Sequence, residues 1–233
     1  MRVDCLEPGG ALALIKELSQ GRGRAAMVVT VNPEFVMRAR SQAEFHRALE
    51  GADLCLADGA GVVWALRRRG CVNSERVTGA DTVPELARIC AQHGLGLFLL
   101  GAAPGVAEAA GQALVQAYPG LLISGTHSGS PAVEEDDEIV AMVNRSGAAV
   151  LLVAYGHPAQ ELWIARNREQ LKVALAMGVG GVLDFLSGRV RRAPASWRRA
   201  NLEWLWRLVH QPWRARRMLA LPLFALLVVL ERA

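Results

Sequence analysis

Short runs of uninterrupted apolar residues alternate with longer amphipathic stretches from residue 25 to residue 180. The runs fall at 25–31, 53–57, 95–101, 121–124, 148–155 and 173–180, and the amphipathic stretches near 34–49, 61–69, 82–93, 104–118, 133–144 and 158–171. A strand that is apolar at every position has no solvent face, so it must be covered on both sides. That requirement, with helices between successive strands, predicts a parallel sheet with helices on both faces, a Rossmann-like α/β domain. Several of the helical stretches carry a proline near their start, where the missing N–H is harmless. Hydrophobic residues make up 52% of the 233 and charged residues 21%, which excludes a disordered chain. The 23 glycines follow no period and no unit repeats, which excludes collagen-like and solenoid architectures.

The character changes after Gly188. Residues 188–217 hold nine arginines against a single acid, Glu203, while residues 1–187 carry a small acidic excess. The formal net charge of +4 is therefore a local basic patch, which points to a polyanion: nucleic acid, an anionic membrane surface or a substrate phosphate. A helix is expected from Ser196 to about His210, with Pro212 starting another. Residues 218–230 are uncharged and interrupted only by Pro222, too short for the roughly 20 residues that span a bilayer. With Trp197, Trp204, Trp206 and Trp213 before it, this tail reads as an interfacial membrane anchor, the alternative being a helix docked on the core or a dimer contact. The domain reading is 1–188 for the α/β unit and 189–233 for a basic helical membrane-associating appendage.

The four cysteines, Cys5, Cys55, Cys71 and Cys90, form no CxxC and no cluster with histidine. They indicate a reducing compartment and argue against zinc. The first ten residues lack a basic segment followed by an apolar run, so a cytoplasmic location is expected.

Ligands of an open parallel sheet bind at the carboxyl ends of its strands. There the sequence places Thr30-Val31-Asn32-Pro33, Asp58-Gly59, Gly101-Ala102-Ala103-Pro104-Gly105, Gly156-His157-Pro158-Ala159-Gln160-Glu161 and Gly178-Val179-Gly180-Gly181. Gly101–Gly105 is an ordinary tight turn or, with Gly180-Gly181, a cradle of backbone N–H groups for a phosphate or nucleotide. The spacing is neither GxGxxG nor a P-loop. Asp58 is a helix cap or a general base. Asn32 is a turn former or a ligand. The acidic run 134–138 sits at an expected helix start, where acids are favoured without any metal.

Nine segments occur in a fixed order: Thr30-x-Asn32, Asp58-Gly59, Arg76-x-x-Gly79-x-Asp81, Gly101-x-x-Pro104-Gly105, Tyr118-Pro119-Gly120, Gly156-x-Pro158-x-Gln160-Glu161, Gly178-x-Gly180-Gly181-x-x-Asp184, Arg192-Ala193-Pro194 and Glu203-Trp204-x-x-Arg207. Together they resemble the bacterial TagA/WecG/CpsF glycosyltransferases, over most of the chain. The resemblance implies an inverting, metal-independent transferase without a cofactor. It would move a sugar, typically N-acetylmannosamine, from a UDP-sugar donor to undecaprenyl-diphosphate-linked N-acetylglucosamine, in teichoic acid, common antigen or capsule synthesis. It implies Asp58 as catalytic base. It implies Thr30, Asn32, Arg76 and Gln160 as further active-site residues, to which the strand-end reading adds Gly101, Gly180 and Gly181. It implies Arg207, Arg214 and Arg217 as diphosphate ligands in an appendage that meets the membrane. The location expected is the inner face of the plasma membrane, with a possible homo-oligomer and no nucleic acid partner. Ala159 stands where relatives often have lysine, and His127-Ser128-Gly129-Ser130 where many have Gly-Tyr, departures that bear on the sugar rather than on the reaction class.

An inverting transfer needs one base, and a single Asp at a strand end supplies it. Without a metal, arginines must offset the leaving diphosphate, and 24 of the 26 basic residues are arginine, although a GC-rich genome favours arginine too. A dehydrogenase or epimerase would require a dinucleotide fingerprint after the first strand, which Thr30-Val31-Asn32-Pro33 does not provide. A binding module without catalysis gives no reason for these polar residues to share one edge.

Overall fold

The computed structural model describes residues 1–199, 202–210 and 219–230. Six strands, β1 (Ala26–Val31), β2 (Leu54–Ala57), β3 (Gly96–Gly101), β4 (Leu122–His127), β5 (Val150–Ala154) and β6 (Leu175–Gly178), form one sheet in the order β2-β1-β6-β5-β3-β4. Every adjacent pair is parallel. The helices are α1 (Pro8–Ser19), α2 (Pro33–Ser41), α3 (Ala43–Glu50), α4 (Ala60–Arg68), α5 (Gly79–His93), α6 (Val106–Ala117), α7 (Asp136–Arg145), α8 (Ala159–Asn167), α9 (Val182–Leu186), α10 (Ala195–Arg199), α11 (Glu203–His210) and α12 (Ala220–Leu230). A single 3₁₀ turn, Val133–Glu135, precedes α7.

Alternate residues of every strand except the half-exposed edge strand β4 enter separate cores. Val28, Leu54, Leu56, Leu97, Leu99, Leu152 and Met177 pack on one face with α1, α5, α6 and α9. Met27, Val29, Cys55, Phe98, Leu100, Leu151 and Ala176 pack on the other with α2, α3, α7 and α8. This is why the strands read as continuous apolar runs. The chain leaves β1 toward β2 on one side and returns through β6 on the other. Strand order therefore reverses beside β1, and a crevice opens at the carboxyl ends there.

Several elements differ from the sequence expectation: β4 runs on to His127, α8 ends at Asn167, and α9 follows β6 where no helix was expected. Helix α1 was not foreseen. The stretch 34–49 is two helices, because Gln42 is extended (φ −125°, ψ 98°) between α2 and α3. Helix α5 starts a turn earlier than residue 82, with Thr78 as its N-cap. The Thr78 hydroxyl accepts from the Asp81 N–H and donates to the Asp81 carboxylate, a local capping exchange. Pro84 is thereby internal, and the Ala80 carbonyl that it cannot serve accepts from Arg192 Nη1 instead, at 3.4 Å. The stretch 196–210 is likewise not one helix but α10 and α11.

Helix α12 docks on the domain: Phe224 is buried against Ala57, Val62 and Val63, and Val228 packs on the same cluster. Other residues of that helix, Leu223, Leu226, Val229 and Leu230, stay exposed. Trp197 and Trp206 stack edge to face at 5.5 Å, and His210 stacks on Trp206, so part of the tryptophan belt packs on itself. Among the described residues no helix is long and apolar enough to cross a membrane. Trp213, Met218 and the helix expected from Pro212 lie outside the described residues.

Candidate active site

A cleft of about 420 Å³ opens at the ends of β1, β2, β5 and β6. It brings together Thr30, Asn32, Asp58, Arg76, Gln160, Gly180 and Gly181, seven of the positions singled out from sequence. Gly101 does not line it. That residue closes β3, where an added Cβ would fall 2.8 Å from the Ala154 backbone, and its bare Cα lets β5 approach. Gly105 caps α6 in the left-handed region, the ordinary tight-turn reading of that segment. Residues 127–130 do not line the cleft either, since β4 is the edge strand at the other end of the sheet.

Asn32 follows β1 and caps α2: its Oδ1 accepts from the Phe35 N–H at 3.1 Å. The turn-forming role is thus real, and what the side chain retains for a ligand is its Nδ2 donor pair. Asp58 continues β2 by donating its N–H to Val31 O at 2.8 Å, which anchors the residue at the strand end. The next residue, Gly59, has φ 114° and ψ 142°, a region closed to side chains, and it rather than Asp58 is the N-cap of α4. The carboxylate is therefore presented, half-exposed, in the cleft.

Arg76 is held by its neighbours: Glu75 N–H donates to Leu6 O and Val77 N–H to Ala57 O. Its guanidinium lies 3.9 Å from Glu203 of α11, which also sits 3.7 Å from Arg192. Arg192 in turn lies 2.8 Å from Asp81. Burial pushes the Asp81 carboxyl up, but the Thr78 hydroxyl and the nearby Arg192 and Arg76 outweigh it and hold it below its ordinary value. The one acid of the basic stretch is thus turned into the cleft. Trp204 and Leu221 join the lining from the same appendage. Of the appendage arginines, Arg214 and Arg217 lie outside the described residues, as does the side chain of Arg207.

Two lining residues carried little sequence signal. His157 Nε2 and a Glu34 carboxylate oxygen are 3.4 Å apart, and the His157 ring lies 5.0 Å from that of Phe35. Glu34 reads as an ordinary first-turn acid of α2, and His157 as a loop residue. Only the approach of β5 to β1 across β6 makes them neighbours. Two acids of the run 134–138 are engaged away from the cleft: Glu135 accepts from the Ser130 N–H, and Asp136 is paired with Arg166. Among the described residues no group of three or more metal-ligating side chains forms.

Two kinds of comparison with known proteins bear on the site. The family model for glycosyl transferases of the WecG/TagA/CpsF family matches residues 1–233. The N-acetylglucosaminyldiphosphoundecaprenol N-acetyl-beta-D-mannosaminyltransferase of Bacillus subtilis (strain 168) is 34% identical over 206 residues, 88% of this chain and 80% of its own. The enzyme of the same description from Bacillus spizizenii is 34% identical over 212 residues, 91% and 81% of the two chains.

Proposed function

Since the chain belongs to the WecG/TagA/CpsF family of glycosyl transferases, we propose that it moves N-acetylmannosamine from a UDP-sugar onto undecaprenyl-diphosphate-linked N-acetylglucosamine, with inversion. The transferred sugar and the lipid-linked acceptor are those that the names of its relatives carry. The observation that carries the reading is the convergence of Asp58, Asn32 and Arg76 in one cleft at the reversal of strand order.

Asp58 takes the proton of the acceptor hydroxyl. The freed oxygen attacks the anomeric carbon from the face opposite the leaving group, the C–O bond to UDP breaks, and UDP leaves with its electron pair. Negative charge develops on the diphosphate, and Arg76 meets it as a planar, always charged donor. Arg207, Arg214 and Arg217 add to that field, which is how the transfer proceeds without a metal. Thr30 and the Nδ2 of Asn32 position the sugars.

The acceptor is a lipid, so the enzyme works at a membrane surface on the cytoplasmic side. The exposed apolar residues of α12, next to the arginine-rich segment, suit contact with an anionic bilayer. Residues 1–188 then form the catalytic unit and 189–233 the membrane-facing appendage. The test is UDP release from a panel of UDP-sugars in EDTA, with and without a short-chain prenyl-diphosphate-N-acetylglucosamine. Acceptor-dependent release from UDP-N-acetylmannosamine is the expected result. Release that requires added metal, or none from any donor, contradicts the reading.

A further inference from the structure

Two sequence motifs on different strands form one unit. Gln160 Oε1 accepts from the Gly156 N–H at 3.1 Å and from the Gly180 N–H at 2.9 Å. These amides belong to separate loops, after β5 and after β6, and both glycines line the cleft. Gln160 Nε2 donates to Glu161 Oε1 at 2.6 Å. Glu161 is fully buried, and its other oxygen, Oε2, has no hydrogen-bond partner. Gly178 completes the arrangement: a Cβ there would stand 2.6 Å from both Gln160 Nε2 and Glu161 Oε1.

A carboxamide has two orientations that exchange its donor and acceptor ends. Turned over, Gln160 would set an NH₂ against two N–H donors. The Glu161 oxygen selects the orientation in which Oε1 meets both glycines. An apolar side chain at 161 would fill the same space without burying an unpaired oxygen, which is costly. What it would not supply is the acceptor for Nε2.

We propose that Glu161 is a positioning residue for the sugar transfer: through the Gln160 carboxamide it fixes the Gly156 and Gly180 loops as the wall against which the donor binds. Gln160 is then a brace between loops, and the Gly178-x-Gly180 spacing exists to admit it. The donor part of this inference rests on the transferase reading above; the bracing part does not.

The experiment compares Glu161→Met and Glu161→Gln by donor KM, kcat and amide hydrogen exchange in the peptides holding residues 156 and 180. Glu161→Met removes the acceptor, and donor KM should rise about tenfold with kcat little changed, the signature of lost ground-state contact worth one hydrogen bond. Exchange at both loops should speed up together. Glu161→Gln keeps an acceptor oxygen and should restore both readouts to near wild type. Wild-type KM and exchange in Glu161→Met, or a Glu161→Gln as impaired as it, would overturn the proposal. Should Glu161→Met fail to fold, Gly178→Ala drives a Cβ into the same two atoms and must give the same paired signature; normal KM and exchange there also refute it. If no donor is turned over, exchange and UDP affinity still decide the brace, and the failure belongs to the transferase reading.

Discussion

Glu203 on α11 lies 3.9 Å from Arg76 and 3.7 Å from Arg192, so one appendage carboxylate sits between two arginines at the edge of the cleft. A diphosphate that takes Arg76 as a ligand must compete with that carboxylate. Arg76→Ala should weaken UDP binding by at least about tenfold, and Arg76→Lys should recover only part of it, because an ammonium lacks the bidentate fork. Glu203→Gln should tighten UDP binding severalfold at low salt and less at high salt. Calorimetric titration of the three variants checks this. Weaker binding in Glu203→Gln would mean that Glu203 orients Arg76 rather than competing for it.

Asp58→Asn keeps shape and removes the base. Its kcat should fall by about two to four orders of magnitude, with donor KM little changed. Single-turnover kinetics with the lipid acceptor make the measurement; a kcat within a few-fold of wild type would remove Asp58 from that role.

Glu161 makes stability pH-dependent. Burial is the largest cause and raises its carboxyl from 4.5 to about 7, although the Gln160 amide and a backbone N–H act in the other direction. The folded state therefore keeps a proton that the unfolded chain releases between those values. Stability from this group is complete below pH 4.5 and declines as pH rises to about 7, by roughly 3 kcal/mol in all. Denaturant titrations at pH 5 and pH 8 should show a flatter profile in Glu161→Gln than in wild type. Parallel profiles would contradict the assignment.

The two sides of α12 should separate experimentally. Leu223→Glu with Leu226→Glu alters exposed positions, so binding to anionic vesicles should drop about tenfold or more without a shift in Tm. Phe224→Ala instead empties the contact with Val62 and Val63, so hydrogen exchange across residues 220–230 should rise while the sheet stays protected. Vesicle binding unchanged by the double glutamate variant would place the membrane contact elsewhere.

Much of the molecule was legible from its residues. Strands buried on both faces must be apolar throughout, so the parallel sheet and its inner strands could be read directly, whereas the half-exposed edge strand β4 runs on through polar residues to His127. Asn32, Asp58, Gly180 and Gly181 stood at strand ends, and sheet geometry brings strand ends together. Gly101 stood at a strand end too but on β3, two strands beyond β6, and only strand order separates it from the cleft. The break at Gln42 was hidden because α2 and α3 share one apolar face, and periodicity alone does not show a single extended residue.

The sequence by itself determined the alternation of elements, the strand-end chemistry and the charge of the appendage, because these depend on local periodicity and composition. Tertiary structure alone decided the pairings between distant segments: Glu203 with Arg76, His157 with Glu34, Gln160 with Gly180, and Phe224 against α4. Each joins elements whose neighbours are chosen by strand order and helix packing. A carboxylate among nine arginines has many candidate partners along the chain, and it is the folded backbone that brings Arg76 and Arg192 within reach.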